Sequence, residues 1–542
     1  MNVILRGIDD LPQGLDRCLT SRDMAAISDA CRREAALLEG GAGLLILVVA
    51  DEMTFDGRHA LRHLRTSLAD KGMAINEEFQ ASRGLIALIY QHFSGNNDKQ
   101  LEIDSDAGRM FDKLIYRAGE MNASDIHITI KRDNAQIQFR IHGELETVEW
   151  WTRRQAEAMC SCAYTVIAEI KDTTWVPERR QDANFAHIIN GRLYRIRYSH
   201  HPIYPGGVHI VMRILSTGKK IEFADSLCKL GYNSIQADAI LAMIAEPSGM
   251  LVISGETGSG KSTTLANLTH ILLVQSNDSI SLQTVEDPPE YEVPGAIQTP
   301  VIHSRDDRDN RVNPYVEAIK SAMRCDPDII VVGEIRDFDT ARLAAAASES
   351  GHPVMTTLHA SRALNIIARM SGFGASMPLN PVNRALLCGP QFLSGLVHQT
   401  LIPVLCGKCS VPFIDAVKAG RVDDGLVTRV TVVSGGDMER IRMRGAGGKC
   451  PHCRKGIVGR TVCAEIIIPD SKILKLLLEN RDQEAFDTWL ENGGYSIRDH
   501  AIDKMMDGIL SPTDIEANLG RLKLESKAAR RQRFKTVGEA AE

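Results

Sequence analysis

The chain contains one stretch that strongly limits what it can fold into, residues 255–262, with the sequence GETGSGKS. The pattern is G-x-x-x-x-G-K-S, in which the backbone N–H groups of a glycine-rich turn surround a phosphate chain. Residues 250–254 (MLVIS) before it are typical of a buried strand, and residues 261–274 after it carry apolar side chains at helical spacing. Strand, turn and helix are the setting that this motif requires. The sequence therefore predicts a nucleoside triphosphate-binding loop rather than a chance glycine-rich turn.

The residues of this loop have expected roles. Lys261 reaches the β- and γ-phosphates, the hydroxyl of Ser262 ligates Mg²⁺, and the N-terminus of the following helix adds partial positive charge. The predicted nucleotide-binding residues are Gly255, Glu256, Thr257, Gly258, Ser259, Gly260, Lys261, Ser262 and Thr263.

Length and composition describe an ordinary soluble chain of several domains. Its 542 residues suggest three or four domains, and 44% apolar and 24% charged residues are typical of globular proteins. The net charge of −6 gives no support to general nucleic-acid binding. The run LLILVVA (44–50) is too short to span a bilayer, and the N-terminus has no secretory signal pattern. We therefore expect a cytoplasmic protein.

The first half of the chain predicts two domains. Residues 1–100 are expected to form a small α/β adaptor domain or a stabilising extension, with a strand at 44–50, helices at 23–38 and 60–71, and a linker at 94–100. Residues 101–215 predict a helix at 106–118 and strands at 135–143, 192–199 and 208–215. Arg140, Arg195, Arg197 and Arg213 recur on these strands, as a solvated face or as a cationic face directed at phosphates across an interface.

Residues 216–225 are polar and predict a hinge into a nucleotide domain at 226–400. There, strands alternate with helices as in a parallel sheet with crossover helices. Strands at 279–285, 329–332 and 354–358 deliver Glu290, Glu334 and His359 near their C-terminal ends, where open α/β sheets bind ligands. The Glu334 carboxylate can hold Mg²⁺ through water or activate the attacking water. On spacing alone, His359 fits a structural histidine at least as well.

Several motifs in a fixed order resemble those of the secretion ATPase family, the hexameric motors of type II secretion and type IV pilus assembly. The resemblance covers residues 105–510. Its motifs are SDIHI (124–128) with FRIHG (139–143), the phosphate loop after PSG (247–249), TVEDPPEY (284–291), RCDPDIIVVGEIRD (324–337) and GHPVMTTLHA (351–360). The last three are similar to the aspartate box, the Walker B region and the histidine box.

The resemblance implies a RecA-like P-loop domain preceded by a PAS-like α+β domain, which is an α/β fold class. It implies an ATPase that uses ATP and Mg²⁺ and forms a homo-hexamer. Glu334 would be the Walker B glutamate and Glu290 the aspartate-box acid, with Lys261 as the third catalytic residue. His352 and His359 would sense the γ-phosphate or a neighbouring subunit. Arg195, Arg197 and Arg213 would close onto the nucleotide.

The sequence departs from the family pattern at five places. Glu256 replaces a usual proline, Ala183 follows Gln-Asp where glycine is common, and Lys320 replaces an arginine, which loses the bidentate fork. The segment 302–313 is longer and more charged than usual. Gln399-Thr400-Leu401 lacks a middle arginine. The last three departures affect details of a subunit interface rather than the core chemistry.

Two C-x-x-C pairs follow the nucleotide domain. Cys406 with Cys409 and Cys450 with Cys453 could supply the four thiolates of a closed tetrahedral Zn²⁺ site. A redox pair or unrelated thiols are the alternatives, but no thioredoxin-like context surrounds the motifs. The resemblance favours structural zinc, because assembly-type motors of the family carry a tetracysteine module here. The zinc module is expected at 401–470, a helical region at 471–525 and a disordered tail at 526–542.

The resulting prediction is a cytoplasmic hexameric ATPase that drives type IV pilus assembly and acts on an inner-membrane platform protein. A type II secretion motor that drives pseudopilus assembly is the alternative. From another class, a RecA-fold nucleic-acid translocase remains possible on the phosphate loop and Walker B strand alone. A nucleotide-binding scaffold without hydrolysis is a third possibility. The acidic net charge and the four cysteines favour the motor without nucleic acid.

Overall fold

A computed structural model gives the fold of the chain. It describes residues 3–4, 10–12, 15–20, 34–41, 44–51, 53–70, 72–82, 85–86, 89, 106–168, 174–190, 192–216, 223, 226–277, 279–301, 313–376, 380–445 and 450–523. The predicted linker at 94–100, hinge at 216–225, charged segment at 302–313 and tail at 526–542 lie wholly or largely outside the described residues. Contacts between residues divide the chain into two compact units, residues 1–115 with 152–176 and residues 116–151 with 177–542.

The first unit contains a five-stranded sheet in the order β1-β5-β4-β3-β2. Its elements are β1 (Val3–Ile4), β2 (Leu15–Cys18), β3 (Ala35–Gly40), β4 (Leu44–Ala50), α1 (Phe55–Asp70) and β5 (Glu77–Ala81). The strand predicted at 44–50 is confirmed as β4.

The helix predicted at 23–38 is wrong at its C-terminal end, where residues 35–38 belong to strand β3. This strand pairs antiparallel with β4. Leu38 packs in one hydrophobic cluster and Leu37 in another, so both faces of the strand are covered. A strand buried on both faces reads as a continuous apolar run, which periodicity cannot distinguish from a buried helix. The rest of that predicted helix, residues 23–33, lies outside the described residues.

Helix α2 (Asp106–Glu120) spans the boundary between the two units, and residues 153–167 in the first unit form α3 (Arg153–Cys162) with a π-helical turn (Ala163–Ile167). The predicted helix at 106–118 is confirmed and ends two residues later. A capping box fixes the start of α3, because Thr152 and Gln155 exchange side-chain and backbone hydrogen bonds.

The second unit begins with a six-stranded antiparallel sheet in the order β8-β7-β6-β11-β10-β9. Its strands are β6 (Ala123–Ile130), β7 (Asn134–Ile141), β8 (Glu144–Thr152), β9 (Gln181–Ile189), β10 (Arg192–Ile203) and β11 (Gly207–Ser216). Side chains alternate as in a half-buried sheet: Tyr194, Ile196 and Tyr198 of β10 are buried, whereas Arg195 and Arg197 are exposed. The predicted strands at 135–143, 192–199 and 208–215 are therefore confirmed.

A seven-stranded sheet forms the nucleotide domain, in the order β14-β13-β15-β16-β12-β17-β20. Its strands are β12 (Gly249–Ser254), β13 (Leu282–Glu286), β14 (Ile297–Pro300), β15 (Ile329–Ile335), β16 (Pro353–Leu358), β17 (Leu393–Leu405) and β20 (Ile457–Ile467). All neighbours pair in parallel except β17 and β20. Helices cover the sheet: α4 (Leu227–Leu230), α5 (Ser234–Ala245), α6 (Lys261–Gln275), α7 (Pro314–Ala322), α8 (Phe338–Glu349), α9 (Asn365–Gly372) and α10 (Arg384–Leu387).

Beyond β17 the chain forms a small region around the cysteines, with β18 (Val411–Pro412), α11 (Phe413–Lys418), α12 (Asp424–Ser434) and β19 (Arg442–Met443). Four helices follow β20, namely α13 (Ser471–Leu478), α14 (Asp482–Glu491), α15 (Ile497–Met506) and α16 (Pro512–Leu519). The sheets and helices together confirm the predicted α/β class. Within the described residues, no helix is both long enough and apolar enough to span a membrane.

Candidate nucleotide site

The phosphate loop connects the buried strand β12 to helix α6. Gly260 has a φ of +85° and ends the loop, so that the helix begins at Lys261. Gly255 lies so close to the neighbouring strand β17 that a Cβ atom there would approach the Gln399 carbonyl oxygen to 2.4 Å. Only glycine fits at this position, because a side chain would collide with backbone. Thr257 and Gly258 lie on the exposed side of the loop, whereas Ser259 is buried.

Lys261 is held at the loop by its own backbone. Its Nζ donates to the carbonyl oxygens of Gly255 at 2.9 Å and Glu256 at 3.1 Å. Burial lowers the pKa of Lys261, and the carboxylates of Glu334 and Glu290 act in the opposite direction. The ammonium group therefore lies between the loop and the two predicted acids, where it can bind an anion.

The next two residues of α6 are half-buried at its first turn. Ser262 directly follows Lys261, and the Oγ1 of Thr263 lies 2.8 Å from the Tyr291 hydroxyl. Tyr291 ends the motif TVEDPPEY, so this hydrogen bond joins the phosphate loop to the segment after β13. Sequence reasoning gave no role to this tyrosine.

Glu334 is on β15, and its carboxylate has two partners. Oε2 accepts a hydrogen bond from Arg336 Nε at 2.8 Å, and Oε1 lies 3.1 Å from His359 Nε2. Its backbone N–H donates to the Tyr315 hydroxyl at 3.2 Å. The structure therefore brings the two predicted residues Glu334 and His359 together, at the C-terminal ends of the adjacent strands β15 and β16.

The acids at the C-terminal end of β13 and directly after it have different surroundings. Glu286 accepts hydrogen bonds from Thr284 and Gln298, and burial raises its pKa. Asp287 contacts Arg336 Nη1 at 3.4 Å, so Arg336 bridges it to Glu334. Glu290 is exposed and enters the site through its charge, which acts on Lys261. Asp287 and Arg336 were not among the predicted site residues, although both lie in the motifs that carried the resemblance.

The remaining predicted histidine, His352, lies at the start of β16, at the opposite end of that strand from His359. Its Nδ1 is 2.9 Å from the Ser350 hydroxyl. Because β16 runs from residue 353 to residue 358, the two histidines do not form one cluster. Only His359 lies at the edge of the sheet that carries the acids.

The predicted arginines form a row across the six-stranded sheet. Arg140, Asp125, Arg213 and Arg197 are successive cross-strand partners on β7, β6, β11 and β10. Asp125 pairs with Arg213 at 2.9 Å and with Arg140 at 3.7 Å. Arg197 lies directly opposite Arg213, and like charges in that position are destabilising unless an anion is near. Arg195 is exposed on the same face of β10 as Arg197. This row has excess positive charge and suits phosphate binding.

Two residues outside the prediction support the loop from the other side. Gln399 of β17 is buried; its Nε2 donates to the Ser259 carbonyl oxygen at 2.8 Å, and its Oε1 accepts from the Tyr232 hydroxyl at 2.5 Å. Arg460 of β20 donates from Nη1 to the Gly258 carbonyl oxygen at 3.3 Å. Gln399 had been identified only as a departure from the family pattern. The full burial of a polar side chain next to the loop became visible only in the structure.

The four cysteines of the two C-x-x-C pairs come together in one cluster, and their sulfur atoms all lie within 4.8 Å of one another. The Sγ atoms of Cys406 and Cys450 are 4.0 Å apart, and those of Cys409 and Cys453 are 3.4 Å apart. Four sulfurs at about 2.3 Å from a tetrahedral zinc are about 3.8 Å from one another. The cluster therefore fits a zinc ion, and all four residues are free thiols rather than disulfides.

The pKa values of two of these thiols are shifted in opposite directions by their surroundings. A hydrogen bond from the Lys408 backbone amide lowers the pKa of Cys406 to about 7, whereas burial and the neighbouring thiols raise that of Cys409 to about 12. A divalent cation binds thiolates and displaces such protons. Cysteine sulfurs would occupy all four coordination positions of a tetrahedral ion, which leaves none for water or substrate. The cluster therefore suits a structural ion rather than a catalytic one.

A phosphate loop on an α/β sheet, with a carboxylate and histidine at the ends of neighbouring strands, defines a P-loop nucleotide hydrolase with an appended tetracysteine module. The family model described as type II/IV secretion system protein matches residues 101–523. The chain belongs to this secretion ATPase family and is an ATP-hydrolysing enzyme, as the resemblance implied.

Two relatives illustrate the range of the family. The chain is 31% identical to the type II secretion system ATPase E of Vibrio cholerae over 430 residues, which cover 77% of each chain. It is 29% identical to the type IV pilus assembly ATPase PilB of Thermus thermophilus over 526 residues, which cover 90% of this chain and 53% of that one. These names support a secretion or pilus ATPase and do not decide between the two.

Among solved structures, the ATPase DotB of Legionella pneumophila matches with a TM-score of 0.51 and 20% identity, over 76% of this chain and 95% of that chain. The DotB of Yersinia pseudotuberculosis matches with a TM-score of 0.50 and 18% identity, over 77% and 94%. At this identity the likeness concerns the fold alone, and it agrees with the predicted RecA-like and PAS-like arrangement.

Proposed function

We propose that this ATPase is the assembly motor of a pilus-like filament, at the inner face of a bacterial cytoplasmic membrane, and that it drives type IV pilus assembly. The observation that carries the proposal is the tetracysteine cluster in a chain that also has a phosphate loop and the Glu334 carboxylate, because the resemblance assigns such a module to assembly motors. A type II secretion motor, which assembles a pseudopilus, is the second candidate, favoured by the name of the relative from Vibrio cholerae.

The proposed mechanism is phosphoryl transfer to water, in which catalysis comes from positioning and charge stabilisation. The backbone of residues 255–260 and the Lys261 ammonium would hold the phosphates. Ser262 would hold Mg²⁺, which would neutralise developing charge on the phosphate oxygens. Glu334 would accept the proton of the attacking water, with His359 and Arg336 fixing its carboxylate. Glu290 would act near the metal and water.

The arginine row would supply the second half of the site. Arg195, Arg197 and Arg213 carry more charge than Asp125 neutralises, so they would close onto the nucleotide phosphates. His359 would sense the γ-phosphate, and His352, at the opposite end of β16, would contact a neighbouring subunit. The working form would be a homo-hexamer, in which hydrolysis moves one domain against the other and acts on an inner-membrane platform protein. Zinc, held by Cys406, Cys409, Cys450 and Cys453, would stabilise the module.

A Glu334→Gln variant tests the catalytic assignment. It keeps the shape of the side chain but cannot take a proton, so we expect ATP binding to persist while turnover falls by at least about 100-fold. Full-length protein is assayed for steady-state phosphate release and for binding of a fluorescent ATP analogue. Glu349→Gln, at the exposed end of α8, is the matched control and should retain turnover. Turnover by Glu334→Gln within a few-fold of the parent would contradict the assignment.

Two further measurements separate the alternatives. Addition of DNA should leave the ATPase rate unchanged, and strong stimulation would instead favour a nucleic-acid translocase. In the native bacterium, the Glu334→Gln variant should remove surface pili. Loss of secreted proteins with normal pili would identify the type II secretion motor, and normal pili and secretion would indicate a scaffold that does not need hydrolysis.

A further inference from the structure

A tight hairpin of the six-stranded sheet carries two acids toward the region of the cysteines. Strands β7 and β8 are joined by the two-residue turn His142-Gly143, in which both residues have positive φ values, +51° and +89°. Two-residue turns of this kind match the twist of the strands and fix their register. Glu144 and Glu146, the first and third residues of β8, point to the same side because strand side chains alternate. We call these two residues the acidic pair.

Three cations of the cysteine region meet the acidic pair. Arg444 follows β19, and its guanidinium lies 2.5 Å from Glu144 Oε1. Arg454 and Lys455 directly follow Cys453; the first lies 3.3 Å from Glu146, and the second lies 3.6 Å from Glu144 and 3.9 Å from Glu146. We call these three residues the basic cluster. Four ion pairs thus converge on one hairpin.

The acidic pair and Arg444 are partly sheltered from solvent, whereas the side chains of Arg454 and Lys455 are nearly half exposed. The side chain of Glu146 is 18% exposed and that of Arg444 is 23% exposed. Arg444 also contacts Asp514 of α16 at 2.7 Å, so its guanidinium is fixed from both sides. Several charges that rigid elements hold in place contribute more to stability than an isolated surface ion pair does, because less side-chain entropy is lost. The contact is therefore anchored at Arg444, and Arg454 and Lys455 add half-exposed ion pairs around it.

The docked hairpin reaches the phosphate loop through one side chain. A Cβ atom on Gly143 would lie 3.8 Å from Arg460 Nη1, so the turn packs against this arginine. The same Nη1 donates to the Gly258 carbonyl oxygen. Burial lowers the pKa of Arg460, and the negative charge of Asp125 acts against that. Arg460 thus lies between the phosphate loop and the turn that joins β7 to β8.

We propose that the acidic pair and the basic cluster form an electrostatic dock that holds the six-stranded sheet with its arginine row near the phosphate loop. The acids are positioning residues, because their ion pairs are with the basic cluster and they act on the loop through Arg460 and the sheet. The cysteine region then has a purpose beyond its own stability, since it provides the surface to which the sheet is docked. The inference rests on ATP binding and hydrolysis and is independent of the filament that the motor assembles.

A charge swap on the full-length protein tests the dock. Glu146→Arg should raise the KM for ATP about fivefold, since a surface pair worth up to about 1 kcal/mol is replaced by a repulsion. Arg454→Glu should do the same, and Glu146→Arg combined with Arg454→Glu should recover most of the loss. Glu149→Lys is the matched control on the same strand, since Glu149 pairs with Arg117 and contacts no member of the basic cluster.

A structural readout accompanies the kinetics. Hydrogen exchange of the backbone at residues 142–146 should accelerate in Glu146→Arg, return to the parental rate in the double variant and stay unchanged in Glu149→Lys. Failure of the double variant to recover, or equal effects of Glu146→Arg and Glu149→Lys, would overturn the dock. Neither result would affect the catalytic assignment, which depends on Glu334→Gln alone.

Discussion

At the scale of single residues, the motif patterns located the chemical groups but not their pairing. Glu334 and His359 were predicted separately, and their 3.1 Å contact became visible only once β15 and β16 lay side by side. Arg336 is two residues from Glu334 in sequence, yet its bridge to Asp287 depends on β13 being the next strand of the sheet. Residue types follow from sequence motifs, whereas partners follow from strand order, which a single sequence does not specify.

His500 gives a prediction about pH. Its imidazole on α15 is buried, and its Nδ1 accepts a hydrogen bond from the Ala464 backbone at 3.1 Å. Burial and the nearby charge of Lys504 lower its pKa to about 3. Because the unfolded chain takes up the proton below about pH 6.5 and the folded chain does not, stability falls as the pH drops from 6.5 toward 3, by about 2 kcal/mol at pH 5.

The measurement is the free energy of unfolding at pH 7 and pH 5 for the parent and His500→Asn. The asparagine can still accept the Ala464 hydrogen bond but does not titrate. Between the two pH values, the free energy of unfolding of the variant should therefore change by about 2 kcal/mol less than that of the parent. His63→Asn, at an exposed position of α1, should follow the parent. An identical pH slope in parent and His500→Asn would refute this explanation.

At the scale of elements, the sequence did not predict that strand β17 supports the phosphate loop. Residues 393–405 lie between β12 and β20 and form the parallel ladder next to the phosphate-loop strand. Gln399 lies in it between His398 and Thr400, and the sequence identified this stretch only as a departure from the family pattern that affects a subunit interface. The structure gives Gln399 a local role instead, because it joins the Ser259 carbonyl to the Tyr232 hydroxyl.

Gln399→Ala should weaken ATP binding. The change removes both hydrogen bonds, so the buried Ser259 carbonyl loses this donor and the Tyr232 hydroxyl keeps only its contact with Thr264. At a cost of about 1–3 kcal/mol, we expect the Kd for ATP to rise about tenfold. The measurement is titration with a fluorescent ATP analogue. Gln283→Ala on β13 is the control, because its buried amide donates to the Cys325 carbonyl and not to the loop. Equal affinities in the two variants would show that Gln399 does not support the loop.

The prediction of elements succeeded where apolar periodicity was distinctive. Strands β4, β10 and β15 were found because one face or both faces are apolar over several residues. Strand β9 was not predicted, because its residues QDANFAHII alternate only weakly. The C-terminal end of the predicted helix at 23–38 was assigned to the wrong class, because β3 is buried on both faces. Tertiary packing determined each of these outcomes.

At the scale of the whole molecule, the cysteine cluster shows what spacing could and could not predict. The two C-x-x-C pairs lie far apart in sequence, and nothing in that distance required them to meet. They meet because β17 ends at Leu405, next to Cys406, while β20 begins shortly after Cys453 and pairs with β17. The four-thiol cluster was predicted, but the docking of the acidic pair against its flank was not.

Zinc content is a property of the whole chain. We expect about one equivalent of zinc per chain by metal analysis, since four thiolates make one closed tetrahedral site. Cys406→Ser with Cys450→Ser should lose the metal and lower the midpoint of thermal unfolding, because binding energy at a structural site contributes to folding. Cys228 and Cys325 are exposed and lie outside the cluster. The variant Cys228→Ser with Cys325→Ser should therefore keep the metal and the parental midpoint of thermal unfolding. A metal-free parent protein that unfolds at the same temperature would disprove the zinc site.

Strand β17 has a consequence for how this chain can change over evolutionary time. One strand carries Gln399, which supports the phosphate loop, and ends directly before Cys406 of the four-cysteine cluster. The ladder with β20 is regular from Leu396 to Val404, and a register shift between Val404 and Leu405 separates it from Cys406. Inserting or deleting one residue within the regular part would turn every later side chain of that part to the opposite face. Homologues should therefore tolerate length changes between Cys409 and Cys450 and at the shift after Val404, but none between Gln399 and Pro403.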